Sequence, residues 1–581
     1  MRPKEPHHSV TNLHRQPGGL LTLDFLIAKL NSHQQSLDVE EYKIAVIGDK
    51  NSAFSIPLAL HGIEVTSFHY SEIDLQKAND FAEEVGVFVI NKLGNLSDQD
   101  KLFDAIVNLD ENGEVGDISY TVKQSLDRLK PNGRLFFKFA KKILNKKSRK
   151  YKLIINSLLQ AKLLPINCKP TSLLLKSFYD SSQRHRIKRG GNLFHVLDFI
   201  DSKLSASLPR SLSSTWMFEC IKGSDEPLVV QLLPTLSAGG GAERLAVQLA
   251  ELVPKYGYSS LVISMVKGGG LEKVLQEKQI PYLILERSSP WDRITILIKL
   301  IRIFKDLKPT LVHTHLFASD FWGRIAARLA RVKIITTVHN VKTQFNKIGE
   351  LIMQAMSSFS DQYIAISADV NNYLVKYLKI KPKQITTISN GIDLSSLRVR
   401  SNRAVHDIPK LIFVGRLEKQ KAPLLLIEAL RHVTGPWELS VFGDGSLGES
   451  MRRLAEEYNL TSRIRFMGVS NKLYHQYADY DLFILPSLWE GFGLAAIEAA
   501  AVHLPMIVSD LPVMHELFNE NEVVFIKPGN SESLSLAIQK VLTNRELVTS
   551  LSQHLSNRDF SDFSISHMIQ GYTVVYKNIV K

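Results

Sequence analysis

Residues 486–510 read PSLWEGFGLAAIEAAAVHLPMIVSD. Two carboxylates, Glu490 and Glu498, are separated by seven residues. Gly491-Phe492-Gly493 follows the first of them, and a run of small residues suited to a tightly packed helix starts near Leu494. The string closes on a proline, an apolar strand and Ser509-Asp510. Two glutamates at that spacing occur by chance; the glycine turn, the small-residue helix and the terminal strand make the combination specific. Glycines at 491 and 493 let backbone approach a ligand more closely than a side chain permits. A helix opening just after them points free amides and its positive end at an anion.

Upstream, KLIFVGRLEKQKAP begins at Lys410 as an apolar strand and delivers Arg416 and Lys421 just beyond it. Those two strings resemble the signature of family-4 retaining glycosyltransferases with the GT-B architecture. The resemblance implies a nucleotide-sugar donor whose ribose diol is held by Glu498, with Glu490 nearer the sugar and the reacting carbon. It places Arg416 and Lys421 on the diphosphate, where a fixed fork and a mobile point charge suit a departing anion; Lys419 is the less favoured substitute. Gly491, Phe492, Gly493 and Leu494 complete the donor-binding turn. In VFGDGSLGESMRRLAEEYNLTSRIRFMGVS, residues 441–470, Gly443 and Gly445 shape a turn, and the loop holding Gly468 and Val469 is where such enzymes seat the base. No D-x-D motif ends an apolar strand, as a divalent metal on a nucleotide sugar would require in the other major glycosyltransferase architecture. No metal is therefore expected.

Further upstream, LVVQLLP at Leu228 runs into Ser237-Ala238-Gly239-Gly240-Gly241-Ala242-Glu243-Arg244 and then an amphipathic pattern. GGGAER resembles the glycine-rich loop that the same enzymes bring over the diphosphate and acceptor; Glu243 and Arg244 also read as helix-terminus charges. The family places a histidine beside the donor sugar, and His339, ending the strand KIITTVHN, matches it. His313 and His315 in LVHTHLF resemble another strand-end motif, with one expected to line the cleft and the other to pack. Asn390 and Gly391 in SNGID read as turn and hinge residues. Residues 291–308 (WDRITILIKLIRIFKDLK) form a narrow polar stripe among apolar positions, which fits a helix packed on the sheet or, through its lysines and arginines, one lying on a membrane surface. The tail from Phe563 reads as a helix resembling the one that crosses back between lobes.

From Tyr42 the order of elements resembles a class I S-adenosylmethionine-dependent methyltransferase, over roughly residues 40–222. YKIAVIGD gives a strand and turn, FDAIVNLD another strand, and LDRLKPNGRLFF a helix, a Pro131-Asn132-Gly133 turn and a strand. The pocket departs from that family. Lys50 and Ser52 stand where glycines belong, Val46 replaces an acidic residue, and His69 takes the place of the ribose-binding carboxylate. S-adenosylmethionine should bind poorly, with Asp49 or Glu72 as the alternative sources of a missing carboxylate; a scaffold, docking or acceptor-binding role is expected.

At 581 residues the chain needs several cores. The expected class is α/β, with three Rossmann-like units: a methyltransferase-like domain followed by a two-lobed GT-B glycosyltransferase. The expected divisions are a flexible leader (1–40), the methyltransferase-like domain (41–223), the acceptor lobe (228–400), the donor lobe (401–562) and the crossing helix (563–581). Cys168 and Cys220 match neither a zinc spacing nor a disulfide framework, and no signal peptide or spanning segment is read, so a cytoplasmic location is expected. Net charge is +13, dense across residues 138–152 (KFAKKILNKKSRKYK), which fits peripheral contact with an anionic membrane; nucleic acid is not expected, since no accompanying motif reads bases. The expected acceptor is a glycan or lipid-phosphate, in surface polysaccharide or glycolipid synthesis. The competing functions are a bifunctional methyltransferase-glycosyltransferase and a catalytically silent binding protein; five candidate site residues occurring together argue against the second.

Overall fold

The computed structural model describes residues 226–580 apart from 239, 267, 286–291, 342–346, 400–405 and 471–474. Nearer the N-terminus it describes chiefly 42–47, 54–60, 63–69, 71–93, 102–109, 127–140, 163–172 and 215–222, with parts of 26–34. The chain divides into two units, one made chiefly of residues up to Glu226 and the other chiefly of residues from Pro227 onward.

The first unit is built on seven strands: β1 (Lys43–Ile47), β2 (Glu64–His69), β3 (Ile90–Leu93), β4 (Phe103–Asn108), β5 (Leu129–Ala140), β6 (Leu163–Ser172) and β7 (Thr215–Lys222). Their order is β3-β2-β1-β4-β5-β7-β6, with β7 antiparallel to both neighbours. Strands β1 and β4 are buried almost throughout, as inner strands of a largely parallel sheet are. Helix α1 (Glu72–Val85) starts on Ser71, whose hydroxyl accepts from the Asp74 amide, and stops on Gly86 in the left-handed conformation.

Two expectations need correction here. The Pro131-Asn132-Gly133 segment lies within β5: Phe103 pairs with Leu129 and Ala105 with Arg134, so the extra residues form a bulge in the ladder and not a separate turn before it. The leader is not wholly loose either. Residues 26, 28–31 and 33–34 are helical, and Leu26, Leu30 and His33 are buried, the two leucines in the core of this unit. Their i, i+4, i+7 spacing gives the helix one apolar face.

The second unit contains two parallel sheets. One comprises β8 (Leu228–Leu233), β9 (Ser259–Ser264), β10 (Tyr282–Ile284), β11 (Leu311–His315), β12 (Lys333–Val338), β13 (Gln362–Ala365) and β14 (Ile385–Thr387), in the order β10-β9-β8-β11-β12-β13-β14. The other comprises β15 (Lys410–Val414), β16 (Glu438–Phe442), β17 (Ile464–Gly468), β18 (Leu482–Leu485), β19 (Met506–Ser509) and β20 (Val524–Ile526), in the order β17-β16-β15-β18-β19-β20. Each order reverses direction once, at β8/β11 and at β15/β18. The crevice beyond the carboxyl ends of strands at such a switch is where open α/β sheets bind ligands.

Four helices bear on function: α2 (Gly241–Leu252), α3 (Asp292–Leu307), α4 (Leu494–Ala501) and α5 (Ile565–Val580). On α3, Ile296, Leu300, Phe304 and Leu307 are buried, while Ile294, Thr295, Ile298, Lys299, Arg302 and Lys305 are exposed, so the helix packs on one face. Although α5 follows the second sheet in sequence, Met568, Tyr572, Val575 and Tyr576 share a core with Val229, Leu249, Leu311 and Ile335 of the first. Its entry is pinned by backbone bonds from Ile392 N to Phe563 O (2.8 Å) and from Ile565 N to Ile392 O (3.1 Å).

Candidate active site

In the second sheet of this unit, strand β15 releases the chain into a loop that carries Arg416, Gln420 and Lys421, and β18 releases it into Ser487, Trp489 and Glu490. The two loops are stitched together. Leu488 N donates to Gln420 O (2.8 Å), and Gln420 Nε2 donates to the Trp489 carbonyl (3.1 Å). Gln420 Oε1 in turn accepts from Arg416 Nη2 at 3.2 Å, which aims the guanidinium. Glu490 is buried, and its Oε1 accepts from Lys421 Nζ (2.5 Å) and from the Ser487 hydroxyl (2.6 Å). Gln420 and Ser487 were not singled out by sequence, since neither type is diagnostic without a neighbour.

Glu498 sits one turn into α4, buried, with Oε2 accepting from Tyr477 OH at 2.7 Å. Tyr477, also missed by sequence, is fully buried. Gly493 (φ 100°) caps α4, and Leu494 opens it. Phe492 needs correction: its side chain is buried in the core beside Phe563, with ring centroids 6.1 Å apart, so it can meet a ligand only through its backbone. Val469 lies just beyond β17 and is half-exposed.

The loop after β12 of the first sheet meets this turn directly. A Cβ on residue 491 would collide with the carbonyl oxygen of His339, so only glycine allows the loop after β12 to rest there. Ser367 Oγ donates to Gly491 O at 2.9 Å. Gly240 caps α2, and its bare backbone leaves room for the Glu243 carboxylate, whose Oε1 accepts from Thr235 at 3.1 Å. Burial raises the Glu243 pKa, partly offset by hydrogen bonding and the positive charge of Arg416. Arg244 braces the loop by donating to Ala238 O (2.7 Å). Gly241 begins α2, and Gly239 lies outside the described residues.

His313 and His315 require a correction. Both are fully buried, because alternate residues of β11 share one face and α5 covers that face. Neither lines an open cleft. His315 supports His339 from behind, its Nδ1 3.2 Å from His339 Nε2. Burial lowers all three pKa values, that of His339 to about 3. The histidines are therefore neutral at pH 7.

Residues 239–396 match the family model described as Glycosyltransferase Family 4, and residues 398–558 match that described as Glycosyl transferases group 1. This part of the chain is a glycosyltransferase of the GT-B architecture. The glycosyltransferase is 29% identical, over 60% of the chain and 96% of the relative, to UDP-Gal:alpha-D-GlcNAc-diphosphoundecaprenol alpha-1,3-galactosyltransferase of Escherichia coli. It is 26% identical to N-acetylgalactosamine-N,N'-diacetylbacillosaminyl-diphospho-undecaprenol 4-alpha-N-acetylgalactosaminyltransferase of Campylobacter jejuni, over 36% of the chain and 59% of that relative. Among solved structures, Anabaena HepE in complex with UDP-glucose shares the fold, with a TM-score of 0.55, 18% identity and coverage of 60% of this chain and 99% of that one. A Rickettsia africae glycosyltransferase does so with a TM-score of 0.53, 19% identity and coverage of 62% and 100%.

Proposed function

We propose that this glycosyltransferase moves a sugar from a nucleoside-diphosphate sugar to a lipid-diphosphate-linked glycan, with retention at the anomeric carbon and without a divalent metal. The observation that carries this reading is that the Gly491–Gly493 turn, directly after the Lys421–Glu490 pair, rests against the His339 backbone, with Arg416 tied through Gln420 to the same loop. Glu498, set by Tyr477, takes the ribose diol. The α4 amides, Arg416 and Lys421 take the diphosphate, and Glu490 and His339 face the sugar. Two relatives whose names specify diphosphoundecaprenol-linked acceptors support the acceptor class.

In the reaction, the acceptor hydroxyl oxygen bonds to the anomeric carbon on the face that the diphosphate leaves, the bond from that carbon to the phosphate oxygen breaks, and the hydroxyl proton passes to a phosphate oxygen. Negative charge grows on the diphosphate, so cations placed there act mainly on the transition state. Peripheral membrane contact fits such an acceptor, and α3 offers Ile294 and Ile298 beside Arg302 and Lys305 on its exposed face. Among the described residues no helix is long and apolar enough to cross a membrane.

The N-terminal unit is proposed to be a methyltransferase-like frame without the cofactor chemistry. The β3-β2-β1-β4-β5-β7-β6 order with antiparallel β7 supports the frame. His69 does not fit a ribose-binding role: it is buried, and its Nε2 lies 3.0 Å from Asn91 Oδ1. Lys50, Ser52 and the side chains of the basic 138–152 stretch lie outside the described residues.

The test is hydrolysis of a panel of nucleotide sugars by the full chain. One donor should be hydrolysed slowly, and Arg416→Ala with Lys421→Ala should slow that reaction by about 2–4 kcal/mol per contact. Unchanged turnover in the double variant would overturn the donor-site assignment. Calorimetric binding of S-adenosylmethionine would overturn the reading of the N-terminal unit.

A further inference from the structure

Behind His339 lies a buried chain of hydrogen bonds that ends on the C-terminal helix. His339 Nε2 is 3.2 Å from His315 Nδ1, and His315 Nε2 is 2.8 Å from Gln231 Oε1. Gln231 Nε2 donates to Tyr576 OH (3.1 Å), which lies 2.7 Å from His313 Nδ1. His313 Nε2 is 2.7 Å from Thr337 Oγ1, which lies 3.3 Å from Tyr572 OH. Gln231, His313, His315, Thr337, Tyr572 and Tyr576 are all buried.

Along such a chain the direction of one link sets the direction of all the others. The amide NH2 of Gln231 faces Tyr576, so the amide oxygen must receive a proton from His315 Nε2. His315 is neutral, which makes its Nδ1 an acceptor, and the proton between the two histidines therefore sits on His339 Nε2. On the other branch Tyr576, already accepting from Gln231, gives its own proton to His313 Nδ1, and His313 Nε2–H donates to Thr337. Turning the Gln231 amide over would invert every link, including the nitrogen of His339 that carries hydrogen. The amide orientation with Nε2 toward the Tyr576 phenol thus sets the tautomer of a histidine two rings away.

We propose that Tyr576 and Gln231 are positioning residues for sugar transfer: with α5 seated, they hold His339 as its Nε2–H tautomer and leave Nδ1 as a hydrogen-bond acceptor for a donor-sugar hydroxyl. This rests on the assignment of His339 to the sugar in the proposed function. Its consequence is that α5, which follows the donor-side sheet in sequence, completes the acceptor-side site. A chain in which α5 is not docked loses the order of that site while keeping all residues that bind the diphosphate.

The experiment uses the full chain labelled with 15N-histidine, with His339 and His315 assigned by single replacement, alongside transfer kinetics. The native chain should show His339 as one Nε2–H tautomer. Tyr576→Phe keeps the ring but neither accepts from Gln231 nor donates to His313. It should mix the two tautomers of His339 and lower kcat about tenfold, with the donor KM within about twofold, as expected for one lost positioning bond. Gln231→Met should do the same and serves if the first variant folds poorly. An Nδ1–H tautomer in the native chain, or an unmixed one in both variants, would overturn the proposal. So would mixed tautomers with native kcat where His339→Gln slows transfer. If His339→Gln is itself silent, the sugar-facing assignment of His339 fails and the proposal falls with it.

Discussion

The carbonyl oxygen of His339 occupies the space that a Cβ on residue 491 would need, so the two lobes of the glycosyltransferase touch backbone to backbone at the turn between Glu490 and α4. Gly491→Ala should push them apart, because neither partner is a side chain that can swing away. An overpacking cost of about 1–3 kcal/mol corresponds to a fall in kcat/KM of about five- to 150-fold. Nucleoside-diphosphate binding should fall by less than kcat/KM does, since Arg416, Lys421 and Glu498 are unchanged and residue 491 offers a donor only its backbone. Native kcat/KM in Gly491→Ala would show that the lobes need not meet there.

The Lys421–Glu490 pair gives a second test. Both side chains are largely shielded, 14% and 5% exposed, so removing one leaves the other as a poorly solvated charge. Lys421→Met should destabilise the fold by about 3 kcal/mol, and adding Glu490→Gln should recover most of it. Transfer should stay low in both, because a neutral pair restores burial but supplies no cation to the leaving group. Thermal melting and turnover measured on the same samples separate the two effects.

Tyr477 holds Glu498 through one hydrogen bond inside the core. Tyr477→Phe should raise the donor Kd about fivefold to tenfold, the value of a single lost hydrogen bond. Glu498→Ala should weaken the donor further, with kcat at saturation less affected in each case, because ribose contacts change little as the glycosidic bond breaks. A pure kcat defect in either variant would contradict the ribose assignment.

Acid should unfold this protein early. His313 and His315 are fully buried and neutral, with pKa values well below 6.5, and His339 is held down to about 3. In the unfolded chain each histidine takes a proton near pH 6.5, so stability is intact above that value and falls as the pH drops toward the folded pKa. Each fully buried ring costs about 2 kcal/mol at pH 5 relative to pH 7. The midpoint of thermal unfolding of the second unit should therefore fall steeply from pH 7 to pH 5. Replacing His313 by Asn should flatten that slope, which a pH series of melting curves would read directly.

On the proposed mechanism excess chelator should leave transfer unchanged, since there Arg416, Lys421 and the α4 amides supply the charge that a metal would bring. Activity lost to chelator and restored only by magnesium or manganese would require a different account of the leaving group.

Local sequence carries much of the proposed donor site, because its candidate groups are contiguous: the Glu490 to Glu498 string encodes its own turn and helix, and Arg416 and Lys421 share one loop. By itself, the sequence determined the α/β alternation, this glycine turn and the identity of the charged groups. It could not reveal Gln420, whose role exists only because β15 and β18 are neighbours in space, or Tyr477, which meets Glu498 only once the core has packed; Ser487 is local to Glu490, but a serine at that spacing is not diagnostic. It misjudged Phe492, His313 and His315, since facing core or cleft depends on which helix covers a strand face, and here α5 covers that face from more than 200 residues away in sequence. Tertiary structure alone decided that coverage, and with it the proton order behind His339, because a hydrogen-bond chain is defined by distances between side chains that periodicity along one segment does not contain.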